Sequence, residues 1–236
     1  MAIKYTELGQ GSLQTPAGRE SLFKRADGFP MTVTLWVAKT IDVLAVVYAV
    51  LFFPVPVYWL ILHPGVHLWR RVGYRSFWVA LPVWLLAGVP LMFLQGPLWA
   101  HRFHRNALTY ILGAALLALS FWIMSRVHRE FSLKKLAGLP ELNPRHALCG
   151  IVRSGLYAHV RHPRYADLML GFIAFGLLTG SVGIFVLAIV TILMYLIVTP
   201  LEERELREQY GAEYESYART VPRFLPRFWR KKRKLA

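Results

Sequence analysis

Four stretches of the chain are almost purely apolar: residues 31–53, 76–94, 107–125 and 166–199. About 20 such residues are needed to cross the hydrocarbon core of a bilayer. Lipid offers a bare backbone no hydrogen bonds, so each stretch is expected to be a helix; the alternation of a barrel strand is absent from the sequence. The last stretch is interrupted by "TGSVG" at 179–183. Glycine breaks helices readily, so the pattern predicts two arms joined by a tight turn. The first arm is short for a full crossing, but a hairpin in any case returns the chain to the side it came from. The fold expected is an all-α, polytopic transmembrane bundle of about five spans, including a C-terminal helical hairpin.

Finer features qualify this pattern. Pro54 and Pro56, in "FPVPVYWLILHPG", are expected to kink or end the first helix. Tyr58 and Trp59 suit an interfacial belt. Pro82 and Pro90 fall inside the second span, where neighbouring helices satisfy the freed carbonyls. Lys39 and Asp42 are placed either to pair in a bundle interior or to lie near the interface. Residues 201–218 read as a cytosolic amphipathic helix, because Leu206, Tyr210, Tyr214 and Tyr217 share one stripe. Glu203/Arg207 and Arg204/Glu208 are i,i+4 pairs that support it.

Composition narrows the class. The chain is 56% hydrophobic with a mean hydropathy of +0.39, too apolar for an ordinary soluble domain. Most of its 28 lysines and arginines fall in segments 54–75 and 126–165 and after residue 200. The positive-inside rule places those segments and the C-terminus in the cytoplasm and the N-terminus outside. The basic run in "VPRFLPRFWRKKRKLA" is assigned to anionic lipid headgroups, at about 1 kcal/mol per basic residue near the surface, rather than to nucleic acid. Residues 1–30 lack the apolar core of a signal peptide and read as a polar tail. The single cysteine, Cys149, excludes an intramolecular disulfide and reads as a structural thiol. His63/His67 and His101/His104 have spacings that suit metal ligands. Pro64 and Gly65 interrupt the first pair, and neither pair has a carboxylate or cysteine near it in sequence. They read as interfacial histidines, with no metal.

The hairpin gives "VRHPRYAD", at 160–167, a place. A residue before proline is pushed into an extended conformation, and proline is favoured in the first helical turn. His162 is therefore expected at the cap, with Pro163 opening the first arm. The N–H groups of Arg164, Tyr165 and Ala166 would then form an anion site, reinforced by Arg161. Tyr157 and Tyr165 offer ring faces to a cation. Glu202 and Glu203, at the end of the second arm, return to the same place. Neighbours on a helix point about 100° apart, and Glu203 lies on the tyrosine stripe, so Glu203 is expected to point inward more directly than Glu202. These residue types equally suit salt bridges between helix ends or a site for a zwitterion.

"GLYAHVRHPRYAD" followed by "EERELREQYGAEYESYARTVPRFLP" resembles the isoprenylcysteine carboxyl methyltransferase and phospholipid N-methyltransferase superfamily. The resemblance covers residues 153–226, and Asp167 stands where that family usually has glycine. It implies a membrane methyltransferase using S-adenosylmethionine. His162, Pro163 and Tyr165 would line the cofactor site, with Tyr157, Glu202 and Glu203 closing it. From their charge and location, and not from the resemblance, Arg153 or Arg161 would orient an anionic acceptor. The chain then divides into the tail 1–30, transmembrane helices 31–125, a cofactor-binding catalytic region 126–226 and a polybasic tail 227–236. The acceptor would be lipophilic: an isoprenylcysteine carboxylate, a phospholipid amine or a small thiol or phenol. Two other readings stay open: an NADPH-dependent reductase of the sterol reductase type, and a non-catalytic scaffold or transport-linked membrane protein.

Overall fold

A computed structural model describes residues 31–72, 75, 78–130 and 150–226. The expectations for the tail before residue 31, for Cys149 and for the polybasic run after residue 226 lie outside the described residues. Every regular element described is helical; the β pairing among the described residues is one isolated bridge, Arg102 to Ser181. The chain divides into two compact units, Met1–Thr40 and Ile41–Ala236. In the first, the start of helix α1 (Met31–Phe52) leaves Leu35, Trp36 and Val37 exposed. The rest of this description concerns the second unit.

Three helical stretches are long and apolar enough to cross a membrane: Leu35–Trp69, Ala107–Glu130 and Val182–Tyr210. The first of these carries the expected interruption at the prolines: α1 stops at Phe52, although the next residue stays near helical. Phe53 keeps right-handed helical dihedrals (φ −63°, ψ −37°), and its N–H donates to Ala49 O at 2.9 Å. Pro54 then opens helix α2 (Pro54–Leu62), where a missing N–H costs no intrahelical bond. A 3₁₀ turn (His63–Gly65) leads into helix α3 (Val66–Val72), so most of segment 54–75 is helix rather than loop.

The second expected span is broken up. Helix α4 (Ala80–Val83), a π-turn (Trp84–Gly88) and helix α5 (Val89–Phe93) form an apolar stretch shorter than a crossing needs. Pro90 supplies no N–H to continue the α-helical ladder, and the backbone widens into i→i+5 bonds just before it. Helix α6 (Gln95–Trp99) and an extended segment follow. Asp42 pairs there with Arg102 through two hydrogen bonds, of 3.0 and 3.2 Å.

Helix α7 (Ala107–Glu130) is capped reciprocally: Asn106 Oδ1 accepts from Thr109 N–H, and Thr109 Oγ1 accepts from Asn106 N–H, both at 3.0 Å. Its buried residues, Gly113, Ser120 and Val127, recur every seven positions and form one seam. That seam packs along helix α8 (Pro163–Thr179), the first arm of the hairpin. Seventeen residues reach only about 26 Å, short of a bilayer core of roughly 30 Å. The turn uses Gly180 at φ 68°, a left-handed position that glycine takes without strain. Ser181 caps helix α9 (Val182–Tyr210) by accepting from Ile184 N–H at 3.1 Å. The 101–103 segment fastens this turn: Val182 N–H donates to His101 O and Phe103 N–H to Gly180 O, both at 3.0 Å.

The amphipathic helix expected over 201–218 is not one helix. α9 continues through Pro200 to Tyr210, Gly211 turns the chain at φ 52°, ψ −127°, and helix α10 (Ala212–Thr220) restarts it. The tyrosine stripe survives the break. Tyr214, Tyr217 and Val221 form a buried cluster, with Leu206, Tyr210 and Ile151 packed against it.

Candidate functional site

The base of the hairpin brings together residues some 40 positions apart. His162 caps α8 (φ −124°, ψ 60°) and Pro163 is its first residue. The Ala166 N–H donates to His162 O at 3.2 Å, which removes it from the expected anion site. The backbone just before the helix pairs with the C-terminal segment: Arg161 N–H donates to Pro222 O at 2.8 Å, and His162 N–H to Arg223 O at 3.0 Å. The segment after α10 is thereby laid across the hairpin base.

Glu203 sits at the centre and is fully buried. It accepts from Arg161 Nη2 at 2.7 Å and Nε at 3.0 Å, from Arg223 Nη2 at 2.9 Å and Nε at 3.1 Å, and from Arg207 Nη2 at 3.4 Å. A carboxylate has roughly four acceptor positions, and these arginines use them. Arg161 is equally committed, because its Nη1 donates to Ala218 O and Val221 O. Expected as an acceptor-orienting residue, it points into protein groups and ties α8, α9 and the C-terminal segment into one clamp. Arg153 stands apart on the surface, donating to Glu213 Oε1 at 2.9 Å with its guanidinium 5.9 Å from the Tyr217 ring centre.

Glu202 is placed differently. Its side chain is 27% exposed, against 0% for Glu203, although its Oε2 is buried beside His162. His162 bridges the two glutamates, with Nδ1 3.4 Å from Glu202 Oε2 and Nε2 3.3 Å from Glu203 Oε1. Burial alone would lower the pKa of this imidazole. The charges and hydrogen bonds of Glu202 and Glu203 outweigh burial and hold it above the ordinary 6.5. When protonated, the imidazole offers one N–H to each glutamate.

The rings form a pile beside these charges. His162 stacks on Tyr165 (centroids 5.5 Å apart, planes 4° apart), and Tyr165 stacks on Tyr195 (4.4 Å, 20°). Phe224 closes on His162 at 6.0 Å. Tyr157 lies in the adjacent 3₁₀ turn (Gly155–Ala158), where its carbonyl accepts from Tyr217 Oη at 2.7 Å. Burial raises the pKa of its own hydroxyl, which stays protonated.

Residues 108–213 match the family model for phospholipid methyltransferase. This stretch is similar to the phospholipid methyltransferase family. It holds α7, the whole hairpin, His162 and both glutamates, and ends before Arg223. A methanethiol S-methyltransferase of Pseudomonas deceptionensis is 34% identical over 126 residues, covering 49% of this chain and 47% of that protein. The cobalt-zinc-cadmium resistance protein CzcN of Cupriavidus metallidurans is 40% identical over 78 residues (33% of this chain, 36% of that protein). A second methanethiol S-methyltransferase, from Crocosphaera subtropica, is 39% identical over 70 residues (30% and 27%). The chain thus spans less than half the length of the curated relatives it matches. No solved structure matches it.

Three contacts around the hairpin base were not legible in the sequence. Arg223 had no partner suggested by its spacing, being 20 residues from Glu203. Ser120 and Asp167 meet across the α7–α8 seam at 2.5 Å. His63, expected to be interfacial, is buried, stacks on Trp59 and pairs with Glu205 Oε1 at 2.7 Å. That pair fastens the end of α2 to the end of α9, next to the glutamate cluster.

The raised His162 pKa sets a pH dependence. The folded protein holds this proton more tightly than the unfolded chain does. The stabilisation is therefore complete below about pH 6.5 and is lost as pH rises through the folded-state value. Thermal unfolding of the wild type and of His162→Gln is expected to differ most at or below pH 6 and to converge at alkaline pH. A constant gap across that range would show that the proton contributes nothing.

Proposed function

We propose that the hairpin base binds S-adenosylmethionine and that the protein transfers its methyl group to a lipophilic acceptor. The observation that supports this reading is the separation of duties between two adjacent glutamates. Glu203 is saturated by arginines and locks the site, while Glu202 stays partly exposed beside the His162 imidazole and a stack of rings.

The residues fit such a cofactor chemically. Its carboxylate suits the start of α8. A sulfonium suits the ring faces of Tyr165 and Tyr157. Amine and hydroxyl groups suit the accessible Glu202. When bound, S-adenosylmethionine supplies a methyl group on a good leaving group, so the work left to the chain is alignment and exclusion of water. Arg161 and Glu203 act as positioning residues, holding the C-terminal segment, and with it Phe224, across the base. The concentration of basic residues at this end of the hairpin favours its exposure to the cytoplasm, where the donor is soluble, while the acceptor arrives through the bilayer.

The test is titration of detergent-purified protein with S-adenosylhomocysteine and, separately, with NADPH. Binding of the first alone is expected; binding of NADPH alone would favour a reductase, and binding of neither a scaffold. His162→Ala is expected to weaken S-adenosylhomocysteine binding by roughly tenfold or more, the scale of a lost charge-assisted hydrogen bond. Unchanged affinity would remove the proposed site.

A further inference from the structure

Helix α9 carries three carboxylates in one row, Glu202, Glu205 and Glu208. Residues three apart share a helix face, with Cβ atoms about 5–6 Å from one another. Each carboxylate meets an imidazole. His162 Nδ1 lies 3.4 Å from Glu202 Oε2, His63 Nδ1 2.7 Å from Glu205 Oε1, and His67 Nε2 3.9 Å from Glu208 Oε2. The first histidine belongs to the hairpin base. The other two come from the 3₁₀ turn after α2 and from the start of α3, outside residues 108–213. Their i,i+4 spacing, which in sequence suits metal ligands, is met here by carboxylates on the facing helix.

The pairs differ in burial. His67 and Glu208 are exposed, and ion pairs at a surface contribute little. The side chains of His63 and Glu205 are 2% and 11% exposed. An ionised carboxylate only accepts, so Nδ1 of His63 carries the hydrogen of this bond. The ring is held in plane by Trp59, stacked 5.0 Å away at 19°. The helix needs such a hold here. Pro200 lies inside α9, two residues before Glu202. It offers no N–H to the carbonyl one turn back, so the ladder lacks a bond where the last turns begin. Residues 201–210 are therefore steadied from outside. Arg161 grips Glu203 at 2.7 Å, and His63 grips Glu205. At about 100° per residue, Glu203 and Glu205 point to nearly opposite sides, and Glu202 stands on the arc between them.

We propose that His63 is a positioning residue for Glu202: by holding Glu205 it sets the rotation of the last turns of α9, so that the N-terminal helices, and not the hairpin alone, aim the carboxylate that receives the donor's amine and hydroxyl groups. This rests on the methyl-transfer reading above and deepens it. His63 acts through the helix and does not touch the cofactor. Trp59 fixes the ring, the ring fixes Glu205, and Glu205 fixes the face on which Glu202 stands one turn earlier.

Titration of full-length protein in detergent with S-adenosylhomocysteine tests this. His63→Ala is expected to weaken binding about tenfold, the scale of one lost hydrogen bond to a charged group. Because His63 acts through Glu202, the same substitution is expected to change affinity by less than about twofold in a Glu202→Ala background. A merely structural role would give the same loss in both backgrounds. Glu205→Ala is expected to match His63→Ala. His63→Asn, whose side-chain N–H can replace that of Nδ1, is expected to recover affinity to within about threefold of wild type, although the Trp59 stack is lost. These two variants carry the test if His63→Ala does not fold or if Glu202→Ala binds too weakly to titrate. His67→Ala, at the exposed pair, is expected to leave binding unchanged. Wild-type affinity in folded His63→Ala or Glu205→Ala, an equal loss in both backgrounds, or no recovery in His63→Asn would overturn the assignment and leave the cofactor reading standing. A wild type that binds no S-adenosylhomocysteine would overturn the methyl-transfer reading itself.

Discussion

Glu203→Ala is expected to cost about 3–5 kcal/mol of stability, because it leaves the nearly buried Arg161 guanidinium without its counter-charge. Arg161, Arg207, Arg223 and His162 all converge on this one carboxylate. Arg207 and Arg223 are solvated enough to find water, so the loss is dominated by Arg161, whose side chain is 10% exposed. With that charge uncompensated, the segment that carries Pro222 and Arg223 is expected to detach from the hairpin base. S-adenosylhomocysteine binding should then disappear together with stability. Glu202→Ala is the informative comparison. It removes a carboxylate one residue away that has His162 for an ion-pair partner and is partly open to solvent. Its Tm is expected to stay near wild type while cofactor affinity falls. Thermal unfolding and titration of both variants check the pair. Equal losses of stability in the two would show that the burial difference does not separate a structural from a binding glutamate.

Gly183→Ala, one added methyl group at the hairpin tip, is expected to cost roughly 1–3 kcal/mol. A Cβ at this position would lie 2.7 Å from Leu98 Cα and 2.8 Å from Leu98 O. Both are backbone atoms and cannot swing aside as a side chain would. The same short segment is pinned by Ser181 Oγ donating to Leu98 O and by the pairing of Val182 with His101, so α9 cannot slide away without breaking those bonds. Gly96→Ala is the control, since nothing lies within 4 Å of its added carbon. Urea or thermal unfolding in detergent should show a clear loss for the first and little change for the second. Equal stability would mean that the packing of α6 against the tip is looser than described.

Much of the fold was legible because lipid and water impose a one-dimensional rule. The apolar runs announced helices, "TGSVG" announced the turn, and the tight spacing of His162 and Pro163 announced the start of α8. The errors came where that rule is local and the outcome is not. Pro54 and Pro56 were expected to kink or end the first helix, and α1 does stop at Phe52, but the following residues restart the ladder at once because a first-turn proline loses no bond. The stretch with Pro82 and Pro90 was expected to span and instead widened into a π-turn. The stripe over 201–218 had the right periodicity, yet Gly211 divided it, and the tyrosines still met because both pieces fold back on the same surface.

By itself the sequence determined which segments avoid water, where the chain doubles back, and that cations and carboxylates meet at the hairpin base, since a two-arm hairpin leaves its ends together. Tertiary structure alone decided which carboxylate is closed and which is open, that Arg161 faces protein oxygens, that Arg223 arrives from the C-terminal segment, and that Asp167 meets Ser120 while keeping one oxygen free. The physical reason is that helical periodicity fixes the direction of a side chain only relative to its own helix. The charge or void it encounters is set by how neighbouring helices are rotated and shifted, and that is determined by packing among residues distant in the chain.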